Sequence, residues 1–323
     1  MLPHSCAQVE WFRMHSAGNY GSPADSMPPA RRALLQIHFC VLLWGFTAIL
    51  GKLISLGALP LVWWRMGIVT AALLLVPRVW RGLLGLSGRL WLAYAGVGAV
   101  VSLHWLTFYG AIKLANASVA ATCIALAPVF LALVEPYIAG RKFVARELLL
   151  GVAVVPGVAL VVGGLSPQMR LGALVGGLSA LLVAVFGALN KRLVDKADPL
   201  VVTCVEMGTG ALFLTVLTPW LPHEGALFPV PGLEDALLLL LLAIGCTLVP
   251  FVLSLIALRH LTAFGAQLVV NLEPVYAIVL AIPLLGEQHE LGLSFYVGVA
   301  IILAAVFAHP LLERSVKTPA TVE

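Results

Sequence analysis

Long apolar stretches, separated by short polar segments, dominate the chain from residue 33 to residue 312. Apolar and polar positions do not alternate within these stretches, so the pattern does not indicate strands. A helix needs about 20 apolar residues to cross the hydrocarbon core of a bilayer. Divided at charges, prolines and glycines, the pattern predicts ten spanning helices, at residues 33–54, 58–77, 90–112, 115–139, 146–164, 170–190, 199–218, 235–258, 262–285 and 291–312.

The composition agrees with a chain that lies in a lipid bilayer. Hydrophobic residues make up 61% of it and charged residues 11%, and the mean hydropathy is +1.03. Globular domains carry roughly 25% charged residues, so this chain has too little polar surface to cover a water-soluble particle. We therefore predict an all-α integral membrane protein with the bilayer as its surroundings.

The distribution of basic residues predicts the orientation, because Lys and Arg are enriched in cytoplasmic loops. With ten spans and the N-terminus inside, fifteen of the 19 Lys and Arg residues fall on the inner side. Three fall on the outer side (Lys52, Lys113 and Arg170), and Arg65 lies within a span. The pattern favours a multi-pass protein with both termini in the cytoplasm.

The two ends of the chain are polar. Residues 1–30 are rich in Pro and Ser and lack the short apolar core of a signal peptide, so we predict a disordered cytoplasmic tail. Met27 precedes the first basic pair and is an alternative start to Met1. Residues 313–323 are predicted to form a cytoplasmic C-terminal tail.

Several classes of function lack support in the sequence. The five cysteines are scattered, and no CxxC or Cys/His cluster indicates a disulfide framework, a metal site or a cofactor. No basic patch interleaved with aromatic residues indicates a nucleic-acid partner. The HExxH and GxSxG motifs are absent. We therefore do not expect an enzyme.

An internal repeat divides the predicted spans into two halves. Segment 111–140 aligns without gaps on segment 257–286, and seven residues, including Pro128 and Gly140, recur 146 positions later. Each half contains five spans, an odd number, so the second copy must insert upside down. We predict two inverted five-helix repeats, at residues 31–164 and 165–312. Inverted repeats place a substrate site near the midplane at their interface.

Several segments resemble the EamA family of the drug/metabolite transporter superfamily. They are WGFTAILGKLISLGALPLVWWRMGIVTAALLL, LAPVF, LEPVYAIVLAIPLLGE and GLSFYVGVAIILAAV, and the resemblance extends over residues 31–312. It implies a central cavity, alternating access and export of small metabolites such as amino acids. One departure is visible, since the second repeat continues Gly286-Glu287 where the first has Gly140-Arg141.

Three polar residues of the ninth span are candidates for binding the substrate or a proton. Glu273 lies about eleven residues into the span, near the midplane. A carboxylate at this depth costs about 2.5–3.5 kcal/mol on insertion scales and usually faces a cavity or a partner. Asn271 and Gln267 are i,i+4 neighbours that either orient a zwitterion or join helices. Glu273 is equally suited to a substrate ammonium, a coupling proton or a structural hydrogen bond.

Three residues of the first half are further binding candidates. His104 lies in the middle of a span and can bind substrate, relay a proton or simply satisfy a hydrogen bond. Tyr109 is close to it in the same span. Trp44, beside Gly45, suits either a cavity wall with cation–π contacts or the filling of the core.

Other residues suggest mechanical roles. Pro128 and Pro274, paired by the repeat, each remove a backbone donor, and we predict hinges there. Arg65 and Glu206 occupy roughly equivalent places in spans two and seven, and Glu135 lies near an end of span four. We expect gating or structural roles for these three.

The resemblance implies a secondary transporter that moves a small metabolite, an amino acid or a related compound, out across the bacterial cytoplasmic membrane. An importer of the same superfamily is the alternative, and an intramembrane enzyme is a more distant one. A coupling proton and a homodimer are left open.

Overall fold

The computed structural model describes residues 27–221, 226–289 and 291–314, with side chains through residue 305. These residues form helices and turns and contain no strand. Most of residues 1–30 and of residues 313–323, the two predicted tails, lie outside the described part. The α-helices are α1 (Pro29–Leu53), α2 (Ala58–Leu74), α3 (Pro77–Gly85), α4 (Gly88–Leu114), α5 (Ala117–Ile124), α6 (Ala127–Ala139), α7 (Ala145–Val152), α8 (Val155–Gly163), α9 (Pro167–Leu193), α10 (Pro199–Leu217), α11 (Leu233–Leu240), α12 (Val249–Leu258), α13 (Ala263–Val270), α14 (Glu273–Leu285) and α15 (Leu293–Arg314).

The helices match most of the predicted spans. In the described residues, eight helical segments are long and apolar enough to cross a membrane. A ninth counts if α2 and α3 form one span, but these two helices meet at a bend of 96° before Pro77. Apolar α15 corresponds to the last predicted span, with side chains described over only part of its length. By length and composition, the described residues thus contain eight or nine candidate spans, and the count of ten stays a prediction.

Four of the predicted spans are interrupted. Spans four, five and nine each divide into two helices, and in each case a proline stands at the start of the second helix: Pro128 in α6, Pro156 in α8 and Pro274 in α14. Proline cannot donate the backbone hydrogen bond that would continue the preceding helix. In span eight a π-helix, Leu241–Leu248, joins α11 to α12 without a turn. Such π segments often occur at functional sites.

The two halves of the molecule share detailed local geometry. The break between α5 and α6 lies 146 positions before the break between α13 and α14. Both following helices end at a glycine with φ 68°, Gly140 and Gly286. This left-handed conformation favours glycine and ends a helix. The repeat seen in the sequence is therefore also a repeat of backbone structure.

The helices pack around the interrupted segments. The long helix α1 contacts α12 and α14, and α9 lies against α4, α5 and α6. The largest apolar core lies among α1, α2, α4, α5, α10 and the α11–α12 segment. Helices α4 and α10 approach closely, since the carbonyl oxygen of Glu206 would lie 2.5 Å from a Cβ placed on Gly98.

Candidate functional site

A cavity of about 120 Å³ lies among helices from both halves. The wall combines aromatic side chains with a few polar ones. It is lined by Ile37, Trp44, Thr47, Arg65, Val101, His104, Trp105, Phe108, Ile124, Val183, Phe186, Gly187, Phe251, Ser254, Leu258, Ala263, Ala266, Gln267, Val270 and Glu273.

Glu273 is in the cavity wall because the helix break places it there. It is the first residue of α14, directly after the interruption at residues 271 and 272. The unsatisfied backbone N–H groups at a helix N-terminus favour a negative charge in this position. The side chain is 8% exposed and has no ion pair within 4.0 Å among the described residues. Its carboxyl group is therefore available to a cation in the cavity.

Arg65 extends from α2 into the same cavity and is held there by side chains and backbone of α4 and of the π-helix. Its Nε donates a hydrogen bond to Thr247 Oγ1 (2.6 Å), and Nη1 donates to Tyr109 Oη (2.8 Å). Nη2 faces the carbonyl oxygen of Cys246 at 3.5 Å. The guanidinium carbon lies 3.8 Å from the centroid of the Trp105 ring, a cation–π contact. These contacts fix the orientation of a cation that is only 2% exposed.

The π-helix supplies part of this support. Thr247 Oγ1 donates to the carbonyl oxygen of Leu242, five residues earlier, and accepts the hydrogen bond from Arg65 Nε. The Thr247 hydroxyl in this wide turn thus satisfies a backbone carbonyl of the same segment and at the same time offers the guanidinium a hydrogen-bond acceptor. Arg65 has no carboxylate within 4.0 Å among the described residues. The acidic group that interacts with it electrostatically is Glu273.

His104 is anchored to the neighbouring helix α9. Its Nδ1 lies 3.0 Å from the carbonyl oxygen of Ser179, and Ser179 Oγ donates to the carbonyl oxygen of His104 (2.9 Å). A carbonyl oxygen can only accept, so the first contact requires a proton on Nδ1. In the neutral ring Nε2 is then the remaining acceptor. His104 therefore makes a helix-to-helix contact and is also a polar group of the cavity wall, and its role toward a substrate or proton stays a prediction.

The other binding candidates separate into two groups. Trp44 and Gln267 line the cavity, and Gln267 Nε2 is buried without a hydrogen-bond partner among the described residues. Asn271 and Tyr109 are fully buried and are not among the lining residues. Tyr109 Oη accepts a hydrogen bond from the cavity residue Arg65. Asn271 Nδ2 donates to the carbonyl oxygen of Ala125 (3.4 Å).

The remaining predicted residues are not among those that line the cavity. Glu135 forms an ion pair with Arg141 Nη2 (2.9 Å), which also pairs with Glu147. In the loop between α6 and α7, burial lowers the pKa of the Arg141 guanidinium, but the hydrogen bonds to these two carboxylates outweigh it and leave that pKa raised. Glu206 is buried between α4 and α10, and the prolines 128 and 274 begin α6 and α14.

The comparison with known families decides what kind of protein this cavity belongs to. Residues 31–163 and 170–308 each match the EamA-like transporter family. The chain belongs to the EamA-like transporter family. This family is part of the drug/metabolite transporter superfamily, so the resemblance seen in the sequence is confirmed.

Solved structures share this EamA-like fold. One of them, described only as a crystal structure of a protein, has a TM-score of 0.64 and 19% sequence identity to this chain. The match covers 89% of this chain and 99% of the other. No curated protein matches.

In this EamA-like chain the structure also reveals residues that sequence reasoning missed. Phe186 and Phe251, from α9 and α12, line the cavity as aromatic partners with ring centroids 5.6 Å apart. Glu287 caps the N-terminus of α5 from the other repeat, as its two carboxylate oxygens accept from Ala117 N and Ser118 N at 3.0 Å each. The signal for Glu287 was its difference from Arg141 at the repeated position. Nothing in the sequence pairs Phe186 with Phe251.

The donor chemistry for a metal centre is absent from the part of the chain that the structure describes. No three His, Cys, Asp or Glu side chains there come close enough together to hold a metal ion. The polar groups of the cavity are instead one guanidinium, one carboxyl, one imidazole, one amide and the hydroxyls of Thr47 and Ser254. This set is suited to hydrogen bonds and ion pairs with an organic molecule.

Proposed function

We propose that this EamA-like protein is a secondary transporter that exports a small zwitterion, an amino acid or a related compound, by alternating access. The observation that carries the proposal is that Arg65 and Glu273 line one cavity with opposite charges and do not pair directly. An amino acid carries a carboxylate and an ammonium group, so it is complementary to both residues.

The energetics of burial favour such a ligand. A buried charge without a counter-ion is costly, and an empty cavity leaves both charges incompletely compensated. The substrate carboxylate would accept from the guanidinium N–H groups that Thr247, Tyr109 and Cys246 do not use. Its ammonium group would donate to Glu273. Both buried charges would then be compensated at once.

The rest of the cavity suits an apolar side chain. Trp44, Trp105, Phe108, Phe186 and Phe251 provide aromatic surface, and Arg65 stacks on one of them. His104 and Gln267 add hydrogen-bonding groups at the wall. A pocket that is mostly apolar with a few polar groups fixes the orientation of a small ligand. This supports an amino acid with an apolar or aromatic side chain over a sugar or a polyanion.

We further propose ten spans arranged as two inverted five-helix repeats, with both termini in the cytoplasm. The family match in two segments and the repeated breaks support two units. Counting α2 and α15 as the second and tenth spans gives five in each unit, and an odd number inverts the second. The distribution of Lys and Arg supports this orientation, in the cytoplasmic membrane of a bacterium.

A two-part experiment tests the function. Cells that express the protein are screened for resistance to toxic amino acids and dipeptides, and the purified protein is assayed in proteoliposomes with radiolabelled amino acids. Export predicts resistance and lower intracellular amino-acid levels; an importer predicts sensitisation and accumulation. Chemical conversion of an amino acid without translocation would overturn transport in favour of an enzyme.

Matched variants connect transport to the site. Glu273→Gln and Arg65→Gln are expected to abolish amino-acid flux, because each removes one of the two charges that face the zwitterion. Glu234→Gln, at the exposed start of α11, is the control and should transport like the wild type. Full flux in both cavity variants would contradict the assigned site.

A further inference from the structure

A second buried polar group lies outside the cavity, between α4, α9 and α10. Glu206 of α10 is 0% exposed and Asn190 of α9 is 1% exposed. The side-chain amide of Asn190 is the polar group that interacts with the carboxyl group of Glu206. The two side chains do not, however, form a complete hydrogen bond. Both carboxyl oxygens of Glu206 and both amide atoms of Asn190 lack a hydrogen-bond partner among the described residues.

This arrangement sets Glu206 apart from the other buried carboxyl groups in the described residues. Glu135 is paired with Arg141, Glu287 caps a helix, and Glu273 faces the cavity. Among the described residues Glu206 has neither an ion pair nor a completed hydrogen bond, and an ionised carboxylate in such a place would cost several kcal/mol. The arrangement is therefore compatible with the neutral acid, which carries a proton.

The surroundings keep charges away from this group. Tyr94 of α4 is the titratable side chain that interacts with Glu206, and its Oη donates to the carbonyl oxygen of Leu193 (3.1 Å). Apolar Met66 faces the same helix from α2. The cations at neighbouring helix ends bond elsewhere, Arg78 to Asp198 and Arg259 to Asp195 and the carbonyl oxygen of Ala197. Among the described residues, no cation therefore pairs with this carboxyl group.

The position of the pair connects it to the transport cavity. Phe186 and Gly187 line the cavity from α9, and Asn190 follows on the same face, four and three residues further on. One helical turn, about 5.4 Å, thus separates the cavity wall from the polar pair. On α4 the cavity residues Val101 and Phe108 share a face with Tyr94, at intervals of seven residues. Any movement of α4 against α9 that opens the cavity also changes the surroundings of Glu206.

We propose that Glu206 and Asn190 form the binding site of the coupling proton, separate from the substrate cavity. With the helices packed as here, Glu206 holds its proton. When α4 and α9 move apart, water reaches the pair, and the carboxyl group releases the proton to water as hydronium and becomes a carboxylate. Asn190 then donates a hydrogen bond to that carboxylate. The coupling role of this site rests on the proposed transport function, whereas the protonation of Glu206 does not.

Infrared spectroscopy of the full-length protein in lipid tests the protonation without a substrate. The wild type is expected to show the carbonyl stretch of a protonated carboxyl group at neutral pH, lost reversibly in alkaline buffer and absent from Glu206→Gln. Glu135→Gln, which removes an ion-paired carboxylate, is the control and should leave this band in place. A band that Glu206→Gln does not alter, or that never titrates, would overturn the site.

Transport in proteoliposomes tests the coupling, with a mixture of radiolabelled proteinogenic amino acids as the probe. In Glu206→Gln, exchange across the membrane should persist, while flux driven by a proton gradient should fall to the level without a gradient. Gradient-driven flux equal to the wild type would overturn the proposal. Wild-type protein that moves no amino acid contradicts the proposed substrate instead, and the infrared result still decides the proton site.

A second variant covers the case in which Glu206→Gln does not fold. Asn190→Leu retains the carboxyl group and removes the amide that would stabilise the carboxylate. Its infrared band should therefore persist to more alkaline buffer than in the wild type. A titration identical to the wild type would contradict the role of Asn190 and, with it, the two-residue site.

Discussion

The side-chain amide of Asn271 donates a hydrogen bond to the carbonyl oxygen of Ala125, the residue at the same place in the first repeat, 146 positions earlier. Both residues lie in a helix break, one between α5 and α6 and the other between α13 and α14. Two equivalent positions can touch in this way only near the axis that relates the repeats. The contact therefore marks where the two halves cross, next to the charged group at Glu273.

A substitution at Arg65 tests whether substrate binding needs the planar guanidinium group or only a positive charge. Arg65→Lys retains a positive charge but loses the planar fork that bonds Thr247 and Tyr109 and stacks on Trp105. We expect the KM for amino-acid transport in proteoliposomes to rise about tenfold or more. Arg170→Lys, at an exposed site on α9, is the control. An unchanged KM would mean that charge alone is sufficient.

A substitution at Glu287 tests the cap that this residue of the second repeat makes on the N-terminus of α5 in the first. Glu287→Gln leaves one oxygen to accept where two now accept from Ala117 N, Ser118 N and Ser118 Oγ. Hydrogen bonds to charged groups contribute about 1.5–3 kcal/mol, so thermal stability in detergent should fall clearly. Labelling of buried Cys123 on α5, with the other cysteines replaced, should become faster.

The control for the Glu287 variant is Glu234→Gln, which removes an exposed carboxylate at the start of α11. It should leave both the thermal midpoint and the labelling of Cys123 at wild-type values. If Glu287→Gln behaves in the same way, the cap does not hold α5 in place.

Gly98 provides a test of helix packing beside the proposed proton site. Gly98→Ala would place a methyl group 2.5 Å from the carbonyl oxygen of Glu206, also touching Thr209 Oγ1, so α4 and α10 would have to separate. Overpacking of this kind costs about 1–3 kcal/mol. Gly96→Ala, on the same helix with nothing within 4 Å, is the matched control. Equal thermal midpoints for the two variants would contradict the close contact.

The paired prolines provide a test of mechanics. Pro274→Ala restores a backbone N–H that can bond the carbonyl oxygen of Val270 and join α13 to α14. We expect a folded protein with several-fold slower turnover in proteoliposomes, because the break no longer flexes. Pro128→Ala should have a similar effect at the other break. Wild-type turnover in both variants would assign the prolines to local packing instead.

The sequence predicted most of the helices because burial of apolar residues in lipid requires long continuous stretches, as between residues 90 and 112. It did not predict the 96° bend before Pro77, because a proline with flanking basic residues is equally compatible with a simple helix end. Pro128 and Pro274, predicted as hinges, lie at helix breaks because proline acts on its own local backbone, and the hinge role itself stays a prediction.

The site was harder to predict, because it depends on which faces of distant helices meet. Glu273 and His104 were identified by the cost of placing polar groups in apolar spans, and both line the cavity. Arg65 was expected to gate or support, yet it lies in the cavity wall because Thr247 and Cys246, some 180 positions away, hold it there. Such contacts leave no periodic pattern in one sequence.

The two left-handed glycines share the same φ and are followed by opposite charges, Arg141 after Gly140 and Glu287 after Gly286. Glu287 reaches across to the other repeat, while Arg141 stays with carboxylates of its own repeat. Because the contacts at these two positions differ, closing the cavity toward one side of the membrane would have a different free energy from closing it toward the other. For a carrier that works as proposed, the empty protein would favour one orientation over the other, a directional preference that follows from the sign of a single repeated residue.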